Sequence, residues 1–165
     1  MLTRRAFSMA GLGLVATATT SSRRARADMA RGSAFEIVKS DAEWKQALTA
    51  DQYIVLRQHG TERAGTSPLD KTYAPGEYRC AGCGLPLFSS RTKYDSGTGW
   101  PSFSAPLDKA VATSTDTKLV YERTEVHCRR CGGHLGHVFD DGPAPTGKRY
   151  CINGVALAFA PKPAP

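Results

Sequence analysis

The sequence predicts a mainly β domain, in which antiparallel strands follow two short N-terminal helices. Two helix-start signals stand close together, at residues 40 and 49. From Tyr78 onward the chain changes to short apolar or alternating segments separated by Gly, Pro, Asp and Ser, the pattern of strands joined by turns. Two copies of a Cys-x-x-Cys-Gly motif lie in this β region. We therefore expect a β fold stapled by a four-cysteine metal site, with the helices packed outside.

Each helix-start signal is a capping box, in which a hydroxyl residue precedes a carboxylate or amide by three positions. The first box joins Ser40 to Glu43, and the second joins Thr49 to Gln52. Apolar residues follow both boxes at helical spacing. We predict two short helices, the second ended by Gly60.

The strand predictions rest on short runs between turn residues. The run from residue 117 to residue 126 is the richest in β-branched and aromatic side chains. The candidate strands are Leu85–Ser89, Val111–Ser114, Thr117–His127, His137–Phe139 and Val155–Ala160.

Residues 1–27 have the pattern of an export signal. A basic start precedes an uncharged run from Ala6 to Ser22, which is too short and too rich in Gly, Ala and Thr for a membrane span. Residues Thr3–Phe7 resemble the twin-arginine signal, and residues 25–27 have the small-x-small form of a processing site. We predict cleavage before Asp28 and a periplasmic protein without stable membrane association. A merely basic start or a retained anchor is the alternative.

The basic charge of the chain belongs mostly to that segment. It carries five arginines and no acidic residue, so the net charge falls from +7 to +2 without it. The rest of the chain has no basic run, which argues against nucleic-acid binding. We expect a single domain over residues 28–160, a disordered Pro-rich tail over residues 161–165, and a monomer.

The two cysteine motifs predict a structural zinc site. Cys80 and Cys83 form one copy, and Cys128 and Cys131 form the other. Two intervening residues let a tight turn aim both sulfurs at one ion, and the following glycine permits a left-handed backbone. Disulfides or a dithiol redox centre are the alternatives. Duplication favours zinc, because two glycine-followed copies supply four ligands.

Cys151 is left as a single thiol. Lys148 and Arg149 supply positive charge that would stabilise its thiolate, and Asn153 would lie on the same face of an extended chain. His134 and His137 flank Gly136, which permits a bend that brings both rings toward one site. Four cysteines already fill the metal site, so an acid–base role near Cys151 is the better interpretation.

Asp141 has two interpretations. It would pair with Arg149 across a hairpin and fix the guanidinium beside the thiol, or it would belong to a solvated turn.

A family resemblance covers residues 40–159. The matching segments are Gly60–Glu62, both Cys-x-x-Cys-Gly motifs, Tyr94–Phe103, His134–Phe139 and Arg149–Asn153. In these motifs the chain resembles the B-type methionine sulfoxide reductases, which reduce the R epimer of methionine sulfoxide.

The resemblance implies two antiparallel sheets flanked by short N-terminal helices, one structural Zn²⁺ per chain, and a role for each residue of the site. Cys151 would attack the sulfoxide sulfur and become a sulfenic acid, while His134 and His137 would polarise the sulfoxide oxygen. Trp100 would form the apolar wall for the substrate methyl group, with Phe103 as a second substrate-binding residue. The residues that would orient the histidines and the thiolate are Asn153, Asp141 and Arg149.

One position departs from the family pattern. Many relatives carry a resolving cysteine where this chain has Thr98. We therefore expect a one-cysteine cycle, in which an external thioredoxin-like protein or small thiol reduces Cys151. The resemblance leaves open whether free or protein-bound methionine sulfoxide is preferred. The competing interpretations are a non-catalytic zinc-binding interaction module and a general thiol oxidoreductase that uses the Cys-x-x-Cys pairs.

Overall fold

The structure, a computed structural model, describes residues 34–162. The predicted export signal and residues 163–165 of the predicted tail lie outside this range. Within it, no helix is long and apolar enough to cross a membrane.

Two short helices open the described chain, as the sequence predicts: α1 (Asp41–Ala47) and α2 (Ala50–Gln58). Both capping boxes form, with Glu43 N–H donating to the Ser40 hydroxyl and Gln52 N–H donating to the Thr49 hydroxyl. Helix α2 ends at His59, which has left-handed φ/ψ angles of 56° and 36°. Three short 3-10 segments follow later, at Pro68–Lys71, Ser90–Thr92 and Gly154–Ala156.

Nine strands form two antiparallel sheets in the described part of the chain. They are β1 (Gly76–Cys80), β2 (Pro86–Ser89), β3 (Lys93–Tyr94), β4 (Ser102–Phe103), β5 (Val111–Asp116), β6 (Arg123–Cys128), β7 (His134–Phe139), β8 (Arg149–Ile152) and β9 (Leu157–Pro161). The smaller sheet has the order β2-β1-β9, and the larger has the order β3-β4-β8-β7-β6-β5. This arrangement confirms the predicted fold class.

The predicted strand over Thr117–His127 is wrong in its first half. Strand β5 continues to Asp116, and β6 begins only at Arg123. The Asp116 carboxylate accepts a hydrogen bond from the Lys118 backbone N–H at 3.0 Å, the local contact that starts a turn. Leu119 and Val120 are exposed at the tip of this hairpin, so their β propensity is not matched by burial.

The sequence also missed strands that lie inside the sheets. Strand β1 is central in the smaller sheet, and β8 lies between β4 and β7 in the larger one. Both contain charged residues, so neither reads as a continuous apolar run. The predicted tail starts too early, because Pro161 pairs with Gly76 and Lys162 N–H donates to the Pro75 carbonyl at 3.0 Å.

An aromatic cluster fills the space between the sheets. Phe103 stacks on Phe88 with ring centroids 4.4 Å apart, and Tyr78 meets Phe103 edge-on at 4.9 Å. All three side chains are fully buried. The helices cover a different region, where Trp44 and Leu56 pack closely against the backbone at Gly82 and Gly133. Both glycines belong to the turns that carry the paired cysteines.

Candidate active site and metal centre

The four paired cysteines meet in one cluster, at the ends of two hairpins from different sheets. Cys80 is the last residue of β1 in the smaller sheet, and Cys128 is the last residue of β6 in the larger one. The two turns repeat each other: Gly84 N–H donates to the Cys80 carbonyl and Gly132 N–H to the Cys128 carbonyl, both at 2.8 Å. Both glycines have φ near +70°, as the motif predicts.

The sulfur positions fit a tetrahedral metal. The Cys80 and Cys131 sulfurs lie 3.7 Å apart, the Cys83 and Cys128 sulfurs lie 3.5 Å apart, and all four fall within 4.8 Å of one another. Zinc with Zn–S bonds of about 2.3 Å places its sulfur ligands about 3.8 Å apart. No disulfide joins them, since the five cysteines are free.

The charge of the cluster also demands a cation. The Cys128 sulfur is the first cause that raises the pKa of Cys80 and the first cause that lowers the pKa of Cys83, so the sulfurs share their protons. Four thiolates this close are unstable without a positive ion. Zn²⁺ would supply the charge that lets all four ionise and would join the two hairpins.

Cys151 lies in β8, in the wall of a small cavity on the larger sheet. Its register partners are Ser102 in β4 and His137 in β7. The cavity has a volume of about 130 Å³, which suits a small group and is well below the size of a drug-sized site. Its lining residues are Thr61, Trp100, Arg123, Gly136, His137, Phe139, Cys151 and Asn153.

Burial shifts the pKa of the Cys151 thiol more strongly than the neighbouring charge does. Burial raises the pKa of Cys151, while the Thr98 hydroxyl and the Arg149 guanidinium lower it without cancelling that effect. The net pKa shift is upward, so the expected resting thiolate is not favoured. Lys148 does not assist the thiol, because its ammonium group pairs with the exposed Asp140.

The Thr98 side chain lies next to Cys151. Its hydroxyl oxygen lies 3.9 Å from the Cys151 sulfur and 2.8 Å from the Ser96 hydroxyl. Ser96 in turn contacts the Ser102 hydroxyl at 2.7 Å. The loop before β4 therefore presents hydroxyl groups, and no second thiol, to the reactive sulfur.

Trp100 is held in the cavity wall by the segment that follows α2. Its indole N–H donates to the Glu62 carbonyl at 3.1 Å. The Glu62 carboxylate accepts hydrogen bonds from the backbone N–H groups of Gly154 and Val155, just beyond the strand that carries Cys151. No role was predicted for Glu62, although it lies in one of the motifs that match the family.

The predicted role of Phe103 is wrong. Phe103 is fully buried between the sheets and does not line the cavity. In a β-strand, successive side chains point to opposite faces, and the Phe103 ring points into the aromatic cluster. The cavity is lined instead by Phe139, whose ring lies under the Arg149 guanidinium at 4.4 Å.

Strand β7 brings His134 and His137 together, with ring centroids 5.4 Å apart. Gly136 lies between them, where a β-carbon would overlap the Cys151 carbonyl of the adjacent strand. The glycine therefore permits both the local bend and the close approach of β7 to β8. His137 lines the cavity, and His134 lies deeper, with 2% of its surface exposed.

Carboxylates orient both histidines, but they are not the residues that the sequence indicated. His134 Nδ1 lies 2.7 Å from Glu125 Oε1, and His137 Nε2 lies 2.7 Å from Asp116 Oδ2. Arg123 Nη2 donates to the same Asp116 oxygen at 2.7 Å. Asp116 was missed because its place beside His137 depends on where the β5–β6 hairpin turns.

Asn153, Asp141 and Arg149 act on the backbone and the thiol instead. The Asn153 side chain donates to the Leu135 carbonyl at 2.9 Å and accepts from Glu62 N–H at 3.0 Å. These two hydrogen bonds connect β7 to the segment at Glu62 that holds Trp100. Arg149 Nε and Nη2 donate to the two Asp141 carboxylate oxygens at 2.8 Å and 2.7 Å. The cross-hairpin pair is therefore present, and its guanidinium acts on Cys151.

Replacing one metal ligand is expected to unfold the protein. Cys83→Ser should abolish zinc binding, because structural zinc contributes about 10 to 16 kcal/mol of apparent binding energy in small modules, comparable with the total stability of a domain. Metal analysis and circular dichroism of the purified variant check this. Cys151→Ser is the control and should retain zinc and native structure. A metal-free Cys83→Ser protein with native melting would contradict the assignment.

Removing the Arg149 charge is expected to raise the pKa of Cys151 further, since this guanidinium lowers it. For Arg149→Met, alkylation of Cys151 by iodoacetamide should require a higher pH, because only the thiolate reacts. Mass spectrometry of the Cys151 peptide across pH measures this. Lys148→Met removes an equal charge without a contact to the thiol and should leave the profile unchanged.

The chain was compared with known proteins, and a family model described as the SelR domain matches residues 48–161. The peptide methionine sulfoxide reductase MsrB of Thiobacillus denitrificans is 58% identical over 125 residues, covering 75% of this chain and 95% of that protein. The MsrB proteins of Leptospira interrogans and Methanosarcina barkeri are each 56% identical, over 126 and 124 residues. These matches cover 76% and 74% of this chain, and 96% and 87% of the relatives. The chain therefore belongs to the SelR-domain family, that of the MsrB peptide methionine sulfoxide reductases.

Proposed function

We propose that this protein reduces the R epimer of methionine sulfoxide in proteins to methionine, as a peptide-methionine (R)-S-oxide reductase. The observation that carries the proposal is the position of Cys151, a lone thiol in a cavity between Trp100 and His137. Family membership supplies the reaction, and the cavity supplies each of the groups that the reaction needs.

The first half-reaction transfers oxygen from substrate to enzyme. The Cys151 thiol gives its proton to the histidine pair, and its sulfur bonds to the sulfoxide sulfur while the sulfoxide oxygen takes a proton from the resulting imidazolium. The substrate S–O bond and the transient S–S bond then break, the oxygen ends on Cys151 as a sulfenic acid, and methionine leaves. The substrate sulfur is reduced by two electrons and the cysteine sulfur is oxidised by two.

The polar and apolar walls of the cavity contact different parts of the substrate. His137 offers a proton on one side, with its ring fixed by Asp116. Trp100 and Phe139 offer aromatic surface for the methyl group. A sulfoxide sulfur carries an oxygen and two different carbon groups, so walls of unlike polarity distinguish its two epimers.

The second half-reaction requires a thiol from another molecule. Two thiol groups convert the sulfenic acid to the cysteine thiol, releasing one disulfide and one water. The four remaining cysteines form the metal cluster, and Thr98 stands where a resolving cysteine would stand. The reductant in this proposal is a thioredoxin-like dithiol protein or a small thiol.

We also propose that residues 1–27 direct export of the folded protein to the periplasm. The support is the basic start with its twin-arginine pattern and the small-x-small segment at residues 25–27. Export after folding would load the metal in a reducing compartment, before the thiols met an oxidant.

The function is tested by assaying the purified protein with separated epimers of methionine sulfoxide. Reduction of the R epimer and not the S epimer is expected, and Cys151→Ser should abolish it while retaining zinc. A zinc-binding module without catalysis would reduce neither epimer. Reduction of S alone would overturn the proposal.

Thr98→Cys tests the one-cysteine cycle. The introduced thiol should form a disulfide with Cys151 after one turnover, because the Thr98 hydroxyl already lies 3.9 Å from the sulfur. Without reductant, wild-type protein treated with substrate should accumulate a sulfenic acid that reacts with dimedone, and the variant should not. A wild-type disulfide between Cys151 and any of the four cluster cysteines would contradict the cycle.

Export is tested by expressing the full chain in a bacterium and fractionating the cells. The protein should be found in the periplasm with Asp28 at its N-terminus, and replacing Arg4 and Arg5 by lysine should retain it in the cytoplasm. Unchanged localisation of the double variant would contradict twin-arginine export.

A further inference from the structure

A three-residue cluster that runs from the surface to the interior links the catalytic histidine pair to the end of helix α2. Its members are Glu125 on β6, His134 on β7 and His59 at the C-cap of α2. Glu125 Oε1 lies 2.7 Å from His134 Nδ1 and 2.9 Å from His59 Nδ1. One carboxylate oxygen therefore serves two histidines, one buried and one reaching the surface.

The acceptor at the centre of the cluster is ionised. Burial alone would raise the pKa of Glu125, but hydrogen bonds from His134 and Ser114, with the histidine charges, lower it overall. The Ser114 hydroxyl donates to the other Glu125 oxygen at 2.9 Å. Because a carboxylate only accepts hydrogen bonds, His134 carries its proton on Nδ1, while His59 meets the same oxygen as an ion pair.

This arrangement leaves one atom of His134 available for chemistry. With Nδ1–H committed to Glu125, the free ring atom is Nε2, which is buried and has no hydrogen-bond partner among residues 34–162. A buried polar atom without a partner is costly to leave unsatisfied. His134 is not among the residues that line the cavity, so its ring reaches the substrate site through His137, whose ring centroid lies 5.4 Å away.

His59 reaches this cluster from an unusual backbone conformation. Its φ of 56° is left-handed, a conformation in which glycine is the usual residue at a helix end. The ring nevertheless packs against His134 with centroids 5.2 Å apart, and 43% of the side chain is exposed. An imidazole is thus held in a strained position where it contacts both the carboxylate and the catalytic ring.

We infer that His59 is a positioning residue, which fixes the Glu125 carboxylate and through it the tautomer, orientation and charge of the catalytic His134. The inference rests on the proposed function, because His134 matters only if the site reduces sulfoxides.

Glu125 and His59 shift the pKa of His134 in opposite directions. Burial lowers the pKa of His134, the Glu125 carboxylate raises it, and positive charges on His137 and His59 lower it. These three residues are the titratable groups that face the His134 ring from β6, β7 and the end of α2. Removing His59 should therefore raise the pKa of His134, and removing the Glu125 charge should lower it.

The test compares His59→Gly with wild-type holoenzyme. Glycine suits the left-handed backbone, so the variant should fold and keep its zinc. For the R epimer, kcat/KM should fall by about 1.4- to 5-fold, the range for losing one partly exposed ion pair. In ¹H–¹⁵N spectra of the histidine rings, the His134 titration should move to higher pH, whereas Glu125→Gln, which removes the carboxylate charge, should move it to lower pH.

Two further variants make the outcome decisive. Among the described residues, Lys109 is the other non-glycine residue with positive φ, so Lys109→Gly makes the same backbone change without touching Glu125 and should alter neither readout. If His59→Gly loses its zinc or fold, His59→Asn gives the same readouts, since asparagine also tolerates a left-handed backbone.

Wild-type rates and an unchanged His134 titration in the folded variant would overturn the inference while leaving the proposed function intact. An inactive wild-type enzyme would instead remove the proposed function.

Discussion

The four-sulfur cluster is the constraint on which the rest of the structure depends. It joins a hairpin of the smaller sheet to a hairpin of the larger one, and the two motifs are separated by 44 residues of chain. A metal that closes a long loop removes many conformations from the unfolded chain. It also lets four clustered sulfurs carry charge together. The smaller sheet, the larger sheet and the helices that cover the two cysteine turns are therefore organised around one ion.

The same cluster sets the position of the chemistry. Strand β7 begins at His134, three residues after Cys131, and the Gly133 carbonyl accepts from Cys128 N–H at 2.9 Å. The register between β7 and β8 then places His137 opposite Cys151. Helix α2 also belongs to this arrangement, since Arg57 donates to the Cys131 carbonyl at 3.1 Å and His59 reaches Glu125. Metal site and active site are consecutive parts of one scaffold.

The two histidines and Cys151 have different electrostatic surroundings. Each histidine has its own carboxylate, Glu125 for His134 and Asp116 for His137, and these pairs fix which nitrogen of each ring stays free. Cys151 has no such partner, and its burial favours the neutral thiol. Arg149 is the charge that opposes burial.

The sequence by itself determined the parts that depend on local chemistry. Both capping boxes, the zinc motifs with their left-handed glycines and the lone Cys151 follow from residue type and spacing, whereas the missing resolving thiol at Thr98 follows from the family resemblance. These features need only a few neighbouring residues to be specified, so their physical reasons are visible in the chain itself.

Only the tertiary structure decided what depends on pairing between distant strands. The turn at residues 117–122 places Asp116 beside His137, and the β6–β7 register places Glu125 beside His134. Phe103 is a core residue because its side chain lies on the face of β4 that points between the sheets. Phe139 is the phenylalanine that lines the cavity. A shift of one residue in a strand reverses the face of every side chain, and local sequence does not encode that register.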